Sequence, residues 1–318
     1  MSDILSLIIR RLAFGLLTML IVSFLIFFAL ELLPGDLAHA VLGQMATEET
    51  VAAIRKQLGL DVPAIIRYFY WLEGAVHGDF GKSLINKADV GHAIFGRLAN
   101  SFFLAGFAAL FAIPLAVSLG VAAALFRDTL FDKAINVASL TAVSVPEFLL
   151  GYILVLFFAV WAHVFPPMAD IKDHAEFGER VYRSFLPAMT LVLVVTPHMM
   201  RMTRAAIINL LASPYIEMAR LKGTPPWRVI VWHALPNALA PIINVVTLNL
   251  AYLITGVVLV EVVFVYPGIG QLLVDSVAKR DFPIVQACCL IFAATFIVLN
   301  IAADVGSIMT NPRLMHPK

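Results

Sequence analysis

Along the chain, apolar residues gather into six long runs at about 12–31, 101–126, 134–161, 185–203, 238–264 and 284–306, separated by more polar stretches. None alternates with period two in ten-residue pieces, as strands of a membrane barrel do. Runs of this length in lipid must satisfy their own backbone N–H and C=O groups, so they predict six membrane helices. The first run, Leu12 to Leu30, follows Arg10 and Arg11 and precedes Ala38-His39-Ala40, which resembles a signal-peptidase site. A signal core is about 7–15 residues long. This run is nineteen residues long, and the expectation is a retained membrane helix. Pro114, Pro146, Pro187 and Pro197 lie in or near the ends of runs, where each removes a helical hydrogen bond and favours a kink.

The polar stretches carry their own signals. In the first, about 32–100, Thr47 is placed to cap a short helix with Glu48 and Glu49 in its first turn. Val51, Ile54 and Leu58 form its apolar stripe, and Gly59 ends it. A second helix is expected from Pro63 through Tyr68, Phe69, Tyr70 and Trp71, closed by Gly74. Such aromatic residues suit a membrane interface, so this stretch reads as a cap on the outer leaflet. Charge sets the orientation. With the N-terminus cytoplasmic, eleven Lys and Arg, among them Arg10, Arg11, Arg201, Arg204 and Arg220, fall inside. Five fall in the short outer loops, and the long 32–100 loop adds six. The positive-inside rule then puts both termini in the cytoplasm.

Composition agrees with a lipid-facing surface: 61% of residues are hydrophobic and 14% charged, against about 45–50% and 25% in soluble domains. The net charge of +1 carries no basic signature of nucleic-acid binding. The two cysteines, Cys288 and Cys289, are adjacent in an apolar run and read as small core residues; they lack zinc-site spacing. Gly81-Lys82-Ser83 looks like the end of a phosphate-binding loop, but that motif needs a glycine where this chain has Val76. A power source using ATP would therefore sit on another chain. No G-x-S-x-G or H-E-x-x-H occurs, and His233 reads as structural.

The most informative stretch joins the fourth and fifth runs, Ser213 to Asn237. Ser213 is placed to N-cap a helix with Pro214 at its first position, Arg220 and Lys222 suit its last turn, and Gly223 suits a left-handed stop. Thr224 is then expected to cap a second helix begun by Pro225, with Pro236 bending the run into the next span. Within it, Glu217, Ala219, Gly223, Leu235 and Pro236 fall in register with the pattern E-A-A-x3-G-x9-I-x-L-P, with Met218 and His233 as departures. The segment resembles the EAA loop of ABC importer permeases. His233-Ala234-Leu235-Pro236-Asn237 is similar to the branch that handles dipeptides, oligopeptides and nickel. Leu32-Leu33-Pro34-Gly35-Asp36, Gly78-Asp79-Phe80-Gly81-Lys82-Ser83-Leu84 and Tyr266-Pro267-Gly268-Ile269-Gly270 resemble that branch too, in the same order.

The resemblance covers nearly the whole chain. It implies an all-α, six-span permease of the type I importer fold in a bacterial inner membrane. The expected division is an N-terminal helix 1–31, a cap 32–100, a permease core 101–306 with the coupling loop 209–237, and a cytoplasmic tail 307–318. It further implies that Glu217, Ala219, Arg220, Gly223, Leu235 and Pro236 couple this subunit to an ATPase. The implied partners are a second homologous permease, two ATPase subunits and an extracytoplasmic solute-binding protein. ATP and magnesium would be held by the ATPases, and this chain would bind no cofactor or metal and catalyse no reaction. Glu217 could instead pair within its own loop, with Arg220 or Arg204.

Polar residues inside spans are costly and mark pathways or cavities. Ser144 and Glu147 beside Pro146, Asn244 and Asn249 in the fifth run, and Glu261 near its end are the candidates for a solute path. Glu147 and Glu261 could meet a cationic or amino-terminal group of solute, or could lie near the membrane surface or pair with Arg and Lys of a partner permease. A gradient-driven secondary transporter is the alternative, and would show inverted repeats with broken helices; an intramembrane enzyme would need paired catalytic groups within the spans.

Overall fold

The computed structural model describes residues 2–32, 47–57, 61–172 and 175–310. Leu33 to Asp36, Leu58, Gly59 and the tail beyond 310 lie outside the described residues. Among the described residues the chain is helical, with one isolated bridge between Lys82 and Asp89.

Helix α1 (Ser2–Glu31) lies against the last helix, α13 (Phe282–Thr310). Gly15 lets α1 approach closely, since a Cβ there would sit 2.6 Å from Ile301 Cδ1. Two short helices follow, α2 (Glu48–Gln57) and α3 (Ala64–Val76). Thr47 caps α2, its hydroxyl accepting from Thr50 N–H at 3.3 Å. Helix α3 runs through Gly74, whose carbonyl accepts from Asp79 N–H. It docks on α1 through buried Tyr68, which meets Ser23 Oγ at 2.9 Å and the rings of Phe24, Phe27 and Phe28. Arg67 pairs with Glu31 across the same junction.

The centre of the fold is the packing of α4 (Val90–Leu125) on α7 (Phe177–Leu211). Small residues of α4, including Ala105, Ala108, Ala112, Ala116 and Gly120, make a buried stripe at helical spacing. Without a hydrophobic drive in lipid, such stripes let helices associate through close van der Waals contact. At Gly120 a Cβ would meet Met200 O and Thr203 Cβ, each at 2.8 Å. Leu191, Val195, Met199 and Met200 of α7 fill the facing layer.

Among the described residues, four helices are long and apolar enough to cross a membrane, and three bent pairs pass the same test together. The run at 134–161, expected as one span, is two helices: α5 (Leu130–Ser144), then α6 (Glu147–Leu154) continuing as a wider π-turn, Val155–Trp161. They meet at 101°. Pro146 supplies the break, with ψ near 140° at the N-cap of α6 and no N–H to continue the ladder. By contrast, α4 runs unbroken through Pro114, and α7 through Pro187 and Pro197. The run at 238–264 also divides. Helix α10 (Leu235–Thr255) stops at Gly256, and α11 (Val257–Phe264) turns back into α12 (Ile269–Lys279) at 77°. Helix α12 was expected only as loop.

Candidate functional site

The stretch from Ser213 onward folds as α8 (Pro214–Leu221), a corner, and α9 (Pro226–Arg228), which leads through a π-turn at Val229–Ala234 into α10. The corner follows from Gly223, at φ +76°. Its N–H bonds Arg220 O at 2.9 Å, and Thr224 N–H bonds Ala219 O at 3.3 Å. This is the paired closure by which a left-handed residue ends a helix. Two expected caps differ. Ser213 holds the N-cap position, but its hydroxyl donates back to Leu210 O at the end of α7, the same carbonyl that accepts from the Ser213 N–H at 3.0 Å. Pro225 rather than Thr224 takes the second N-cap, since two successive prolines delay the helix to Pro226.

One face of this loop is anchored and the other is open. Ile216, Val229, Ile230, Ala234 and Ala238 form a buried cluster with Ala124 of α4 and Ile207 of α7. Ala219 and Leu235 pack against that cluster from its edge. Glu217, Arg220, Gly223 and Pro236 are exposed, together with Met218 and Leu221. The carboxylate of Glu217 has no hydrogen bond or ion pair among the described residues. Arg204, one cation within its expected reach, is occupied: it forks onto Asp132 at the start of α5, at 2.7 and 2.6 Å. Asn136 and the backbone N–H of Asp128 complete the shell of Asp132.

The solute-path candidates separate. Glu147 and Asn249 line one cavity of about 350 Å³, with Ala142, Val194, Val195, Leu248, Tyr252 and His198. Tyr252 donates its hydroxyl to Glu147 Oε1, while Oε2 is buried and has no hydrogen-bond partner among the described residues. Nothing in the sequence singles out His198 or Tyr252 beyond their standing as polar residues inside apolar helices. Ser144 turns its hydroxyl onto Leu140 O, and Asn244 is exposed away from this cavity.

Glu261 has a different setting. It is fully buried and accepts from Ser101 Oγ at 2.5 Å, Gly270 N–H at 2.7 Å and Gln271 N–H at 3.1 Å. It thus caps the N-terminus of α12, where a carboxylate meets free N–H groups and the positive dipole end. Gly268 and Gly270 make the room; a Cβ on either would strike this carboxylate. Tyr266-Pro267-Gly268-Ile269-Gly270 is therefore the cradle of Glu261. Asn100 ties the cradle to α4 and α7, donating to Pro267 O at 2.9 Å and accepting from Arg180, which lies over Phe103. Ser83 and Leu84 N–H bond Asp281, so Gly78 to Leu84 docks on the turn between α12 and α13. Among the described residues no three His, Cys, Asp or Glu side chains converge as metal ligands.

A helical chain with, among the described residues, four membrane-length helices, three bent pairs and a two-helix loop anchored on one face has the make-up of a multi-pass membrane protein. Residues 116–316 match the family model described as "Binding-protein-dependent transport system inner membrane component", and residues 4–105 match its N-terminal companion, "Binding-prot-dependent transport system membrane comp, N-term". "Probable peptide ABC transporter permease protein y4tP" of Sinorhizobium fredii is 33% identical over 97% of this chain and 99% of its own length. "Glutathione transport system permease protein GsiC" of Salmonella choleraesuis and of Escherichia coli K12 are each 34% identical over 98% of this chain and 99% of their own. The chain belongs to this family: it is a permease subunit of an ABC importer, a multi-pass protein of the bacterial inner membrane that works with ATPase and solute-binding components. It is a transport subunit and not an enzyme, and a gradient-driven transporter has no support among its relatives.

Proposed function

We propose that this subunit forms half of a path for a peptide or a related small solute, and that its Ser213–Asn237 loop docks on a cytoplasmic ATPase. The observation that carries the docking is the division of that loop. Its inner face is fastened by Ile216, Val229, Ile230 and Ala234, while Glu217, Arg220 and Gly223 are presented outward and Glu217 lacks a partner among the described residues. Ala219 and Leu235 hold the loop on the core, and Pro236 starts the span that leaves it. Gly223 allows the corner and a close approach; Glu217 offers a carboxylate to a base or a helix N-terminus on the ATPase.

In the same reading both termini are cytoplasmic, and residues 32–100 cap the outer leaflet. Residues 101–306 form the core, and 307–318 a cytoplasmic tail. The assembly holds a second homologous permease, two ATPases that bind ATP and magnesium, and an extracytoplasmic binding protein. ATP on one side and loaded binding protein on the other bias a two-state equilibrium. The peptide or glutathione in the relatives' names supports this solute class. The solute path passes the cavity lined by Glu147 and Asn249, with Ser144 and Asn244 outside it and Glu261 holding the hairpin beside it. Affinity purification of this chain in gentle detergent tests the assembly. ATPase subunits that accompany the wild type and are lost from the Glu217→Ala, Gly223→Asp double variant support the reading; a chain that purifies alone contradicts it.

A further inference from the structure

The cavity beside the Pro146 break is chemically lopsided. Its walls are mostly apolar, from Ala142, Val143, Val145, Val194, Val195 and Leu248. The polar groups that reach it come from three elements: Glu147 on α6, His198 near the middle of α7, and Asn249 and Tyr252 on α10. Their donors are largely spent inside the protein. Tyr252 gives its hydroxyl proton to Glu147 Oε1, and buried Asn249 gives an amide N–H to Val245 O at 2.8 Å. What remains is acceptor capacity at Glu147 Oε2 and Asn249 Oδ1, neither with a hydrogen bond among the described residues, and the exposed ring of His198, which brings a donor as well. An unsatisfied carboxylate oxygen against apolar walls is expensive, and the terminal torsion of a glutamate is soft enough to swing it toward an entering donor.

Two open acceptors, one of them anionic, call for a cation rich in N–H donors. A volume of about 350 Å³ lies in the range of small-ligand pockets, about 300–1,000 Å³, and is more than a single side chain from a neighbour needs. We infer that this cavity is a binding site for a primary ammonium group carried on a small solute, with Glu147 as its counter-ion and Asn249 as a second acceptor. The inference rests on the permease reading above and adds the chemical class that the subunit itself selects.

The test is binding to the chain purified from its native membrane, in a neutral maltoside detergent, with whatever subunits accompany it. Saturation-transfer NMR with n-butylammonium as probe, and 1-butanol as its uncharged counterpart, reads the site without knowledge of the cargo. The wild type is expected to give a butylammonium signal several-fold above that of butanol. Glu147→Gln is expected to lose at least four-fifths of it, while Asp275→Asn, an exposed carboxylate elsewhere, leaves it unchanged. Tyr252→Phe, which removes one hydroxyl and releases Oε1, is expected to raise binding two- to threefold and serves if Glu147→Gln does not assemble. A butylammonium signal equal to butanol in the wild type overturns the inference and assigns the carboxylate to a base on the second permease. An equal signal in Glu147→Gln, or unchanged binding in Tyr252→Phe, overturns it too. Accompanying ATPases, scored in the same sample, keep a failure of this site apart from a failure of the permease reading.

Discussion

Arg204 holds both carboxylate oxygens of Asp132, at 2.7 and 2.6 Å, and in doing so ties the start of α5 to the end of α7 just before the docking loop. Asp132 is nearly buried, at 4% side-chain exposure, while Arg204 keeps 22%. Removing one member of such a pair strands the other charge, at about 3–5 kcal/mol when burial is complete. With Arg204 part-exposed, Arg204→Ala is expected to cost about 2–3 kcal/mol. Arg204→Lys keeps the charge but loses the fork and should fall between. Thermal melts of the purified protein read both; equal melting of Arg204→Ala and wild type contradicts the clamp.

The carboxylate of Glu261 occupies the space that a side chain on Gly268 would fill. Glu261→Ala leaves Ser101, Gly270 and Gln271 donors without their acceptor, a loss of about 3 kcal/mol. Gly268→Ala alone should destabilise through the clash. The two together should cost clearly less than their sum, because the first removes what the second strikes. Additive losses in a double-mutant cycle of melting temperatures would show that the glycines are not the carboxylate's cradle.

Asp281 is 2% exposed and holds the loop from Gly78 to Leu84 through Ser83 and Leu84 N–H. Asp281→Ala is expected to let that loop open locally without unfolding the helices. Trypsin cleavage after Lys82 and Lys87 should then quicken about tenfold, on the order of 1.4 kcal/mol of local stability. Cleavage at the wild-type rate contradicts the anchoring.

Much of the architecture is legible in the apolar pattern. Helices α1, α7 and α13 each contain an expected run and α4 all of one but Phe126, because long apolar stretches without period-two alternation are satisfied in lipid only as helices. The corner at Gly223 is legible as well, since the flanking Ala219 and Arg220 carbonyls close a helix end locally. The break at Pro146 is not. Pro114, Pro187 and Pro197 look alike in sequence yet leave their helices whole, so the outcome depends on neighbours that re-satisfy the freed groups. The role of Glu261 depends on Ser101, 160 positions away, and the cavity joins Glu147 to Tyr252 across 105. Local reading cannot supply such pairs. The glycines at 268 and 270 are visible in the sequence, but the buried carboxylate they make room for is not.

The corner at Gly223 allows the most direct trial of the docking claim. Among the described residues a Cβ there meets nothing within 4 Å, so a substitution acts through φ +76° and through the size and charge it adds to the docking face. The left-handed region costs most residues about 1–2 kcal/mol and asparagine less. Gly223→Asn should therefore stay close to wild type, whereas Gly223→Val should reshape the corner without disturbing the membrane helices, which its side chain does not touch. The decisive measurement is ATP hydrolysis and solute uptake together, in proteoliposomes holding the complete complex and its binding protein. Gly223→Asp and Gly223→Val are expected to insert normally and keep basal hydrolysis, with uptake and its stimulation of hydrolysis reduced at least tenfold, while Gly223→Asn keeps both. Uptake at the wild-type rate in Gly223→Asp would contradict the assignment of this loop as the link to the ATPase.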